Sequence, residues 1–179
     1  MIRVVVADDQ ALMRTALEHF VAQAEDLEVV GSAEDGVQAL EAARTLAPDV
    51  VLMDMQMPRM DGVEATARIS AEAPGVRVLA ITTFSSEQYL VPALRAGAAG
   101  YLVKDAPPAE VVDAIRRVHA GDAVFSARVA ADLVEAVTAA PEHTAPCPAE
   151  PLAPHERLTE RELDVVRELA KGASNAEIA

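Results

Sequence analysis

Five short apolar runs alternate with five stretches of helical periodicity, and this alternation restricts the folds open to the chain. The runs are Ile2–Ala7, Leu27–Gly31, Val50–Met53, Val76–Thr82 and Gly100–Val103. They are four to seven residues long and rich in β-branched residues, which suits strands rather than helices. Residues 10–24 carry apolar side chains at 12, 13, 16, 17, 20 and 21, the spacing of one helical face. A second helix opens at Asp35-Gly36, with Val37, Leu40, Ala43 and Leu46 in register, and Pro48 stops it. Further helices are predicted over 61–73, 87–96 and 108–120, closed by Pro74-Gly75, Gly97 and Gly121. Connections this short fit βαβ units, whose crossovers are right-handed. The spacing therefore predicts an α/β fold: a five-stranded, doubly wound parallel sheet with helices on both faces.

Composition narrows the chemistry. The chain of 179 residues is 51% hydrophobic but only 3% aromatic, so its core must be aliphatic. Net charge is −14, divided as −9 over residues 1–122 and −5 over 123–179, and neither part has the basic footprint of a nucleic-acid binder. No apolar run approaches the ~20 residues of a membrane span, so no membrane partner is expected. Met1 leads straight into a strand, which predicts no signal peptide, and the single cysteine, Cys147, fits a reducing cytoplasm. The histidines at 19, 119, 143 and 155 show no metal-ligand spacing. Met53, Met55, Met57 and Met60 are expected to pack rather than ligate.

The polar residues gather where strands end. Val50–Met53 runs into Asp54, and Pro58 then forbids further pairing. Asp8 and Asp9 follow the first strand, Thr82 ends the fourth, and Lys104 follows the fifth. In a doubly wound sheet the carboxyl ends form the ligand edge, and the first and third strands are neighbours at the switch point. Three converging carboxylates repel one another unless a cation intervenes, and Mg²⁺ is the hard, oxygen-liganded candidate. A carboxylate, a divalent cation, a lysine and a hydroxyl together suit capture of a phosphoryl group. Each residue also has a plainer reading. Two acids opening a helix complement its dipole, a strand-end Thr is commonly structural, and Tyr101 fits a half-buried aromatic. Those readings do not explain why one rim receives all the polar groups.

Residues 1–121 resemble the receiver domain of two-component response regulators. The likeness rests on Asp8-Asp9, Met53-Asp54-Met-Gln-Met-Pro58 with Asp61-Gly62, Thr82-Thr83 and Gly100-Tyr-Leu-Val-Lys104. Thr82-Thr83-Phe84, Ala96-Gly97-Ala98 and Lys104-Asp105 resemble the NarL/FixJ subfamily, and Leu158–Ala179 resembles the start of its LuxR-type helix-turn-helix. The resemblance implies a flavodoxin-like fold and a sensor histidine kinase that phosphorylates Asp54. It implies Mg²⁺ on Asp9 and Asp54, with Asp8 acting through water and Gln56 giving its backbone carbonyl. Lys104, Thr82 and Thr83 would bind the phosphate, and Thr82 and Tyr101 would form the switch. It also implies a phosphorylation-dependent homodimer.

Three segments are expected: a receiver over 1–121, a linker over 122–157 and the start of a helix-turn-helix over 158–179. The linker should hold a helix near 126–139 and then the Pro-rich stretch 141–154. A helix-turn-helix reads DNA with its second helix. Residues 158–179 end before such a helix, so no DNA-binding residue is expected here and promoter DNA is expected as a partner of the full-length protein only. The competing reading is a Mg²⁺-dependent phosphatase of haloacid-dehalogenase type. That family usually has a second acid two residues after its nucleophile, where this chain has Gln56, so turnover would lack its proton shuttle.

Overall fold

In the computed structural model, residues 1–83 and 87–125 are described, apart from the side chains of Glu87 and Gln88. The strands are β1 (Ile2–Ala7), β2 (Leu27–Ala33), β3 (Val50–Asp54), β4 (Arg77–Thr82), β5 (Gly100–Val103) and β6 (Val124–Phe125). The helices are α1 (Ala11–Ala22), α2 (Gly36–Leu46), α3 (Gly62–Glu72), α4 (Glu87–Arg95) and α5 (Pro108–Ala120). All strand pairs are parallel, in the order β2-β1-β3-β4-β5-β6. The expected helix at 126–139, the Pro-rich stretch and the capped helix from 158 lie outside the described residues. Among the described residues, no helix is long and apolar enough to cross a membrane.

Alternation along the strands builds two cores. Val5, Ala7, Val51, Met53, Val78, Ala80 and Tyr101 face α2, α3 and α4. Val4, Val6, Leu52, Leu79, Ile81 and Leu102 face α1 and α5. Burial on both faces explains why the strands read as continuous apolar runs. Each fully buried Leu, Ile or Val contributes roughly 1.5–3 kcal/mol. Met53 and Met55 are fully buried and Met57 and Met60 nearly so, which bears out their packing role.

The sheet has six strands among the described residues, not the five predicted. Gly121 takes φ 105 at the end of α5 and turns the chain back, so Val124-Phe125 pairs with Gly100-Tyr101. Two residues carry no periodicity, so this strand could only be seen through its partner. β2 also outruns its predicted end at Gly31, because Ser32 and Ala33 pair with Val6 and Ala7. Tertiary pairing there overrides weak strand propensity. Val37 was placed on the buried stripe of α2 but is 48% exposed. Gly36 instead lies against Met60, where an added Cβ would stand 2.6 Å from the Met60 carbonyl oxygen. Leu12 is 86% exposed because α1 buries Leu17 and Val21, further down the helix.

Asp35 caps α2 by accepting from Gln38 N at 2.9 Å, and Asp61 caps α3 by accepting from Glu64 N at 2.8 Å. Each such cap is worth about 1 kcal/mol. Pro92 sits inside α4, where it withholds one helical N–H. On the surface, Arg116 of α5 grips Asp26 through two hydrogen bonds of 2.8 and 2.7 Å. That guanidinium holds the Asp26 carboxyl down at about 2. An NMR titration should show an Asp26 midpoint near 2 in the wild type and a return toward 3.8 in Arg116→Ala. An unchanged midpoint in the variant would show that Arg116 is not the cause.

Candidate phosphoryl-accepting site

Three strand ends deliver the acids and the lysine to one place. Asp54 closes β3 and is 3% exposed. Asp8 follows β1 and is fully buried, whereas Asp9 beside it is exposed. Carboxylate oxygens of Asp8, Asp9 and Asp54 all lie within 4.8 Å of one another. Lys104, just past β5, reaches in from the other side. Its Nζ donates to Asp54 Oδ2 at 2.9 Å and stands 2.6 Å from Asp8 Oδ2. The Asp8 contact is a close ion pair between two buried side chains. The backbone holds Lys104 there, because its N–H donates to the Thr82 carbonyl at 2.6 Å.

The loops fix this arrangement. The Asp54 Oδ1 accepts from Gln56 N at 3.2 Å, and Asp8 Oδ1 accepts from Gln10 N at 2.9 Å. An added Cβ on Gly62 would stand 2.1 Å from the Asp54 carbonyl oxygen, so only glycine lets α3 start this close to β3. Three contacts were not legible from sequence. Arg14 of α1 donates to the Asp8 carbonyl at 2.7 Å. Arg59, in the left-handed region at φ 67, pairs with buried Asp35. Gln56 Nε2 donates to the Tyr89 hydroxyl of α4 at 3.2 Å. Asp35-Gly36 marks a helix start in sequence, but no local pattern links it to position 59.

The two predicted switch residues, Thr82 and Tyr101, are both buried, whereas Thr83, expected to bind phosphate, is exposed. Thr82 ends β4 and is 2% exposed. Tyr101 is fully buried, and its hydroxyl has no hydrogen-bond partner among the described residues. Burial pushes its phenol up to about 12.

Electrostatics favour arrival of a cation. Burial pushes the Asp54 carboxyl above the ordinary carboxylate range; Lys104 and the Gln56 amide oppose this and Asp8 adds to it. Burial opposes the Lys104 charge, but the Asp8 and Asp54 carboxylates outweigh it and hold the ammonium's pKa up. One lysine thus faces three acids. Hard carboxylate oxygens of three acids at this separation fit Mg²⁺. A raised acid pKa means that the protonated form stabilises the fold, and that this contribution is lost as pH rises through the folded pKa. The ionised Asp54 therefore costs stability at neutral pH. In metal-free buffer, Asp54→Asn should melt a few degrees higher, as expected for about 1 kcal/mol. A lower melting temperature would contradict the electrostatic account.

Residues 4–116 match the family model of the response regulator receiver domain. The chain is a response regulator. The uncharacterized transcriptional regulatory protein YxjL of Bacillus subtilis (strain 168) is 41% identical over 178 residues, 99% of this chain and 79% of that protein. Transcriptional regulatory protein LiaR of the same organism is 36% identical over 178 residues, 99% of this chain and 81% of that protein. A two-component response regulator of the LuxR family from Aurantimonas sp. SI85-9A1 matches in structure with TM-score 0.72 and 31% identity, covering 76% of this chain and 97% of that one. These likenesses place this response regulator with the LuxR-type members, as its motifs imply.

Proposed function

We propose that this response regulator accepts a phosphoryl group on Asp54 from a sensor histidine kinase in the cytoplasm and uses it to control transcription. The observation that carries this reading is the meeting of a buried strand-end carboxylate, two further acids and a buried lysine on one rim. An Asp54 carboxylate oxygen forms a bond to phosphorus while the P–N bond of the donor phosphohistidine breaks, its electron pair leaving with the imidazole. Asp9 and Asp54 would hold Mg²⁺, with Asp8 contributing through water and Gln56 through its backbone carbonyl. When bound, Mg²⁺ neutralises charge on the transferring oxygens. Lys104 leaves its carboxylate partners for the phosphoryl oxygens, and Thr82 and Thr83 bind the same group. Gln56 lacks the acid that would speed hydrolysis, so the acyl phosphate persists as a signal rather than turning over as an enzyme's intermediate.

The Thr82 hydroxyl bonds only the phosphorylated form, so it biases a two-state equilibrium toward the state with Tyr101 inward, the buried position Tyr101 already takes in this structure. Thr82→Ala should therefore take up phosphate yet lose the phosphate-induced NMR shifts around Tyr101. Identical shifts in variant and wild type would remove Thr82 from the switch. The phosphorylated receiver dimerises, which light scattering with and without acetyl phosphate tests.

Residues 1–121 serve as receiver, 122–157 as linker and 158–179 as the beginning of the helix-turn-helix. Promoter DNA is read by the completed helix-turn-helix of the full-length protein. Residues 158–179 hold Arg161, Arg167 and Lys171 against Glu160, Glu162, Asp164, Glu168 and Glu177, a poor balance for a polyanion. In a gel shift on its own promoter region, this chain should give no specific band. A specific shift at ~10⁻⁸ M would relocate the DNA-reading element.

A further inference from the structure

A single row of side chains crosses the sheet one residue below the phosphoryl-accepting rim. Met53 stands beside Ala80, Ala80 beside Tyr101, and Tyr101 beside Phe125. Paired residues of neighbouring parallel strands share a face, and Met53, Ala80 and Tyr101 lie in one core with Phe125 packed against it. Met53 is covalently next to Asp54. The Ala80 methyl gives the Tyr101 ring room on one side, and Phe125 bounds it on the other.

β6 is seated by specific features despite its two residues. Val124 is buried in the opposite core, and its N–H donates to the Ala99 carbonyl at 3.3 Å. An added Cβ on Gly100 would stand 2.8 Å from the Val124 carbonyl oxygen, so the glycine admits β6 at this distance. Tyr101 is fully buried, and its hydroxyl makes no well-aligned hydrogen bond among the described residues, with the Thr82 side chain as its polar neighbour. Of its two flanking strands, β4 is braced by β3, whereas among the described residues β6 pairs with β5 alone. Phe125 is the neighbour that can yield.

We infer that Phe125 is a positioning residue of this site, confining Tyr101 to its buried rotamer while β6 is docked. The inference rests on the reading that phosphorylation of Asp54 acts through Thr82 and Tyr101. Coupling of this kind is reciprocal: Tyr101 inward tightens β6, and a docked β6 holds Tyr101 inward. The effect of the phosphate thereby reaches the chain that follows residue 125.

The test is amide exchange by NMR on the full 179-residue chain, with Mg²⁺, in the presence and absence of acetyl phosphate. Phosphorylation should slow exchange of the Val124 amide about tenfold, within the usual range for coupled sites. Phe125→Ala should take up phosphate like wild type, by intact mass, yet lose that slowing, and Phe125→Leu should restore part of it. Tyr101→Ala should speed Val124 exchange in both states, as reciprocity requires. A merely structural Phe125 would change both rates equally and keep their ratio, and that result overturns the inference. So does a phosphorylated wild type whose Val124 exchange does not change. A wild type that gains no phosphate at all would overturn both the inference and the reading beneath it, and the mass measurement distinguishes the two failures.

Discussion

Lys104→Met should lose about 3 kcal/mol of stability in metal-free buffer, the order expected when one partner of a buried ion pair is removed. That corresponds to a drop of about 10 °C in melting temperature for a domain of this size. The Lys104 side chain is 3% exposed, and those of Asp8 and Asp54 are 0% and 4% exposed. The variant thus leaves two buried carboxylates with no cation between them. Two consequences separate this from loss of packing, since the methionine keeps most of the aliphatic stem. Saturating Mg²⁺ should return most of the lost stability, because it replaces the missing positive charge. The pH dependence should also steepen. Without Lys104, burial and the Asp8 charge push Asp54 further up against the Gln56 amide alone, so the variant should lose stability from about pH 4 toward neutrality. In the wild type the lysine's raised pKa keeps its contribution in place throughout that window, and this contribution is lost only in strong alkali. A variant as stable as wild type at neutral pH without metal would contradict the charge assignment.

Gly62→Ala should damage both the fold and the chemistry. The new methyl would meet the Asp54 carbonyl oxygen at 2.1 Å and Met55 Cα at 2.7 Å, and both are backbone atoms. No rotamer change relieves such a clash, so the start of α3 or the end of β3 must move. The cost should reach about 3 kcal/mol, the upper part of the usual overpacking range. Displacing Asp54 by even 1 Å should slow phosphoryl uptake roughly 100-fold. Gly75→Ala is the control, because nothing lies within 4 Å of its added Cβ. It should stay within about 0.5 kcal/mol of wild type, as surface substitutions usually do. Equal stabilities for the two variants, by urea unfolding, would show that β3 and α3 tolerate separation.

The sequence revealed what is local and periodic. Val50–Met53 announces a strand buried on both faces, and Asp54 directly after it lands at the carboxyl rim. Pro107-Pro108 and Gly121 bracket α5 as capping chemistry requires. Strand-end chemistry also brought Asp8, Asp9 and Lys104 to Asp54, because parallel strands deliver their carboxyl ends to one edge. What escaped depends on contacts between distant segments. β6 exists only because Gly100 admits Val124, and no pattern within residues 121–125 carries that information. Val37 obeys the helical period yet faces solvent, since Gly36 gives α2 its close approach to Met60. The pairing of Arg59 with Asp35 joins positions with no shared local signal. The resemblance makes Tyr101 a switch residue, its plainer reading being a half-buried aromatic; its complete burial beside Ala80 is a pairing that only the register of β4 and β5 establishes.

The central claim is that Asp54 is the phosphoacceptor, and intact mass tests it most directly. The protein is incubated with Mg²⁺ and acetyl phosphate, with Asp54→Asn alongside. The wild type should gain the mass of one phosphoryl group, but none when Mg²⁺ is chelated before the incubation, and the variant should gain none. A variant that takes up phosphate as readily as wild type would show that another residue accepts it.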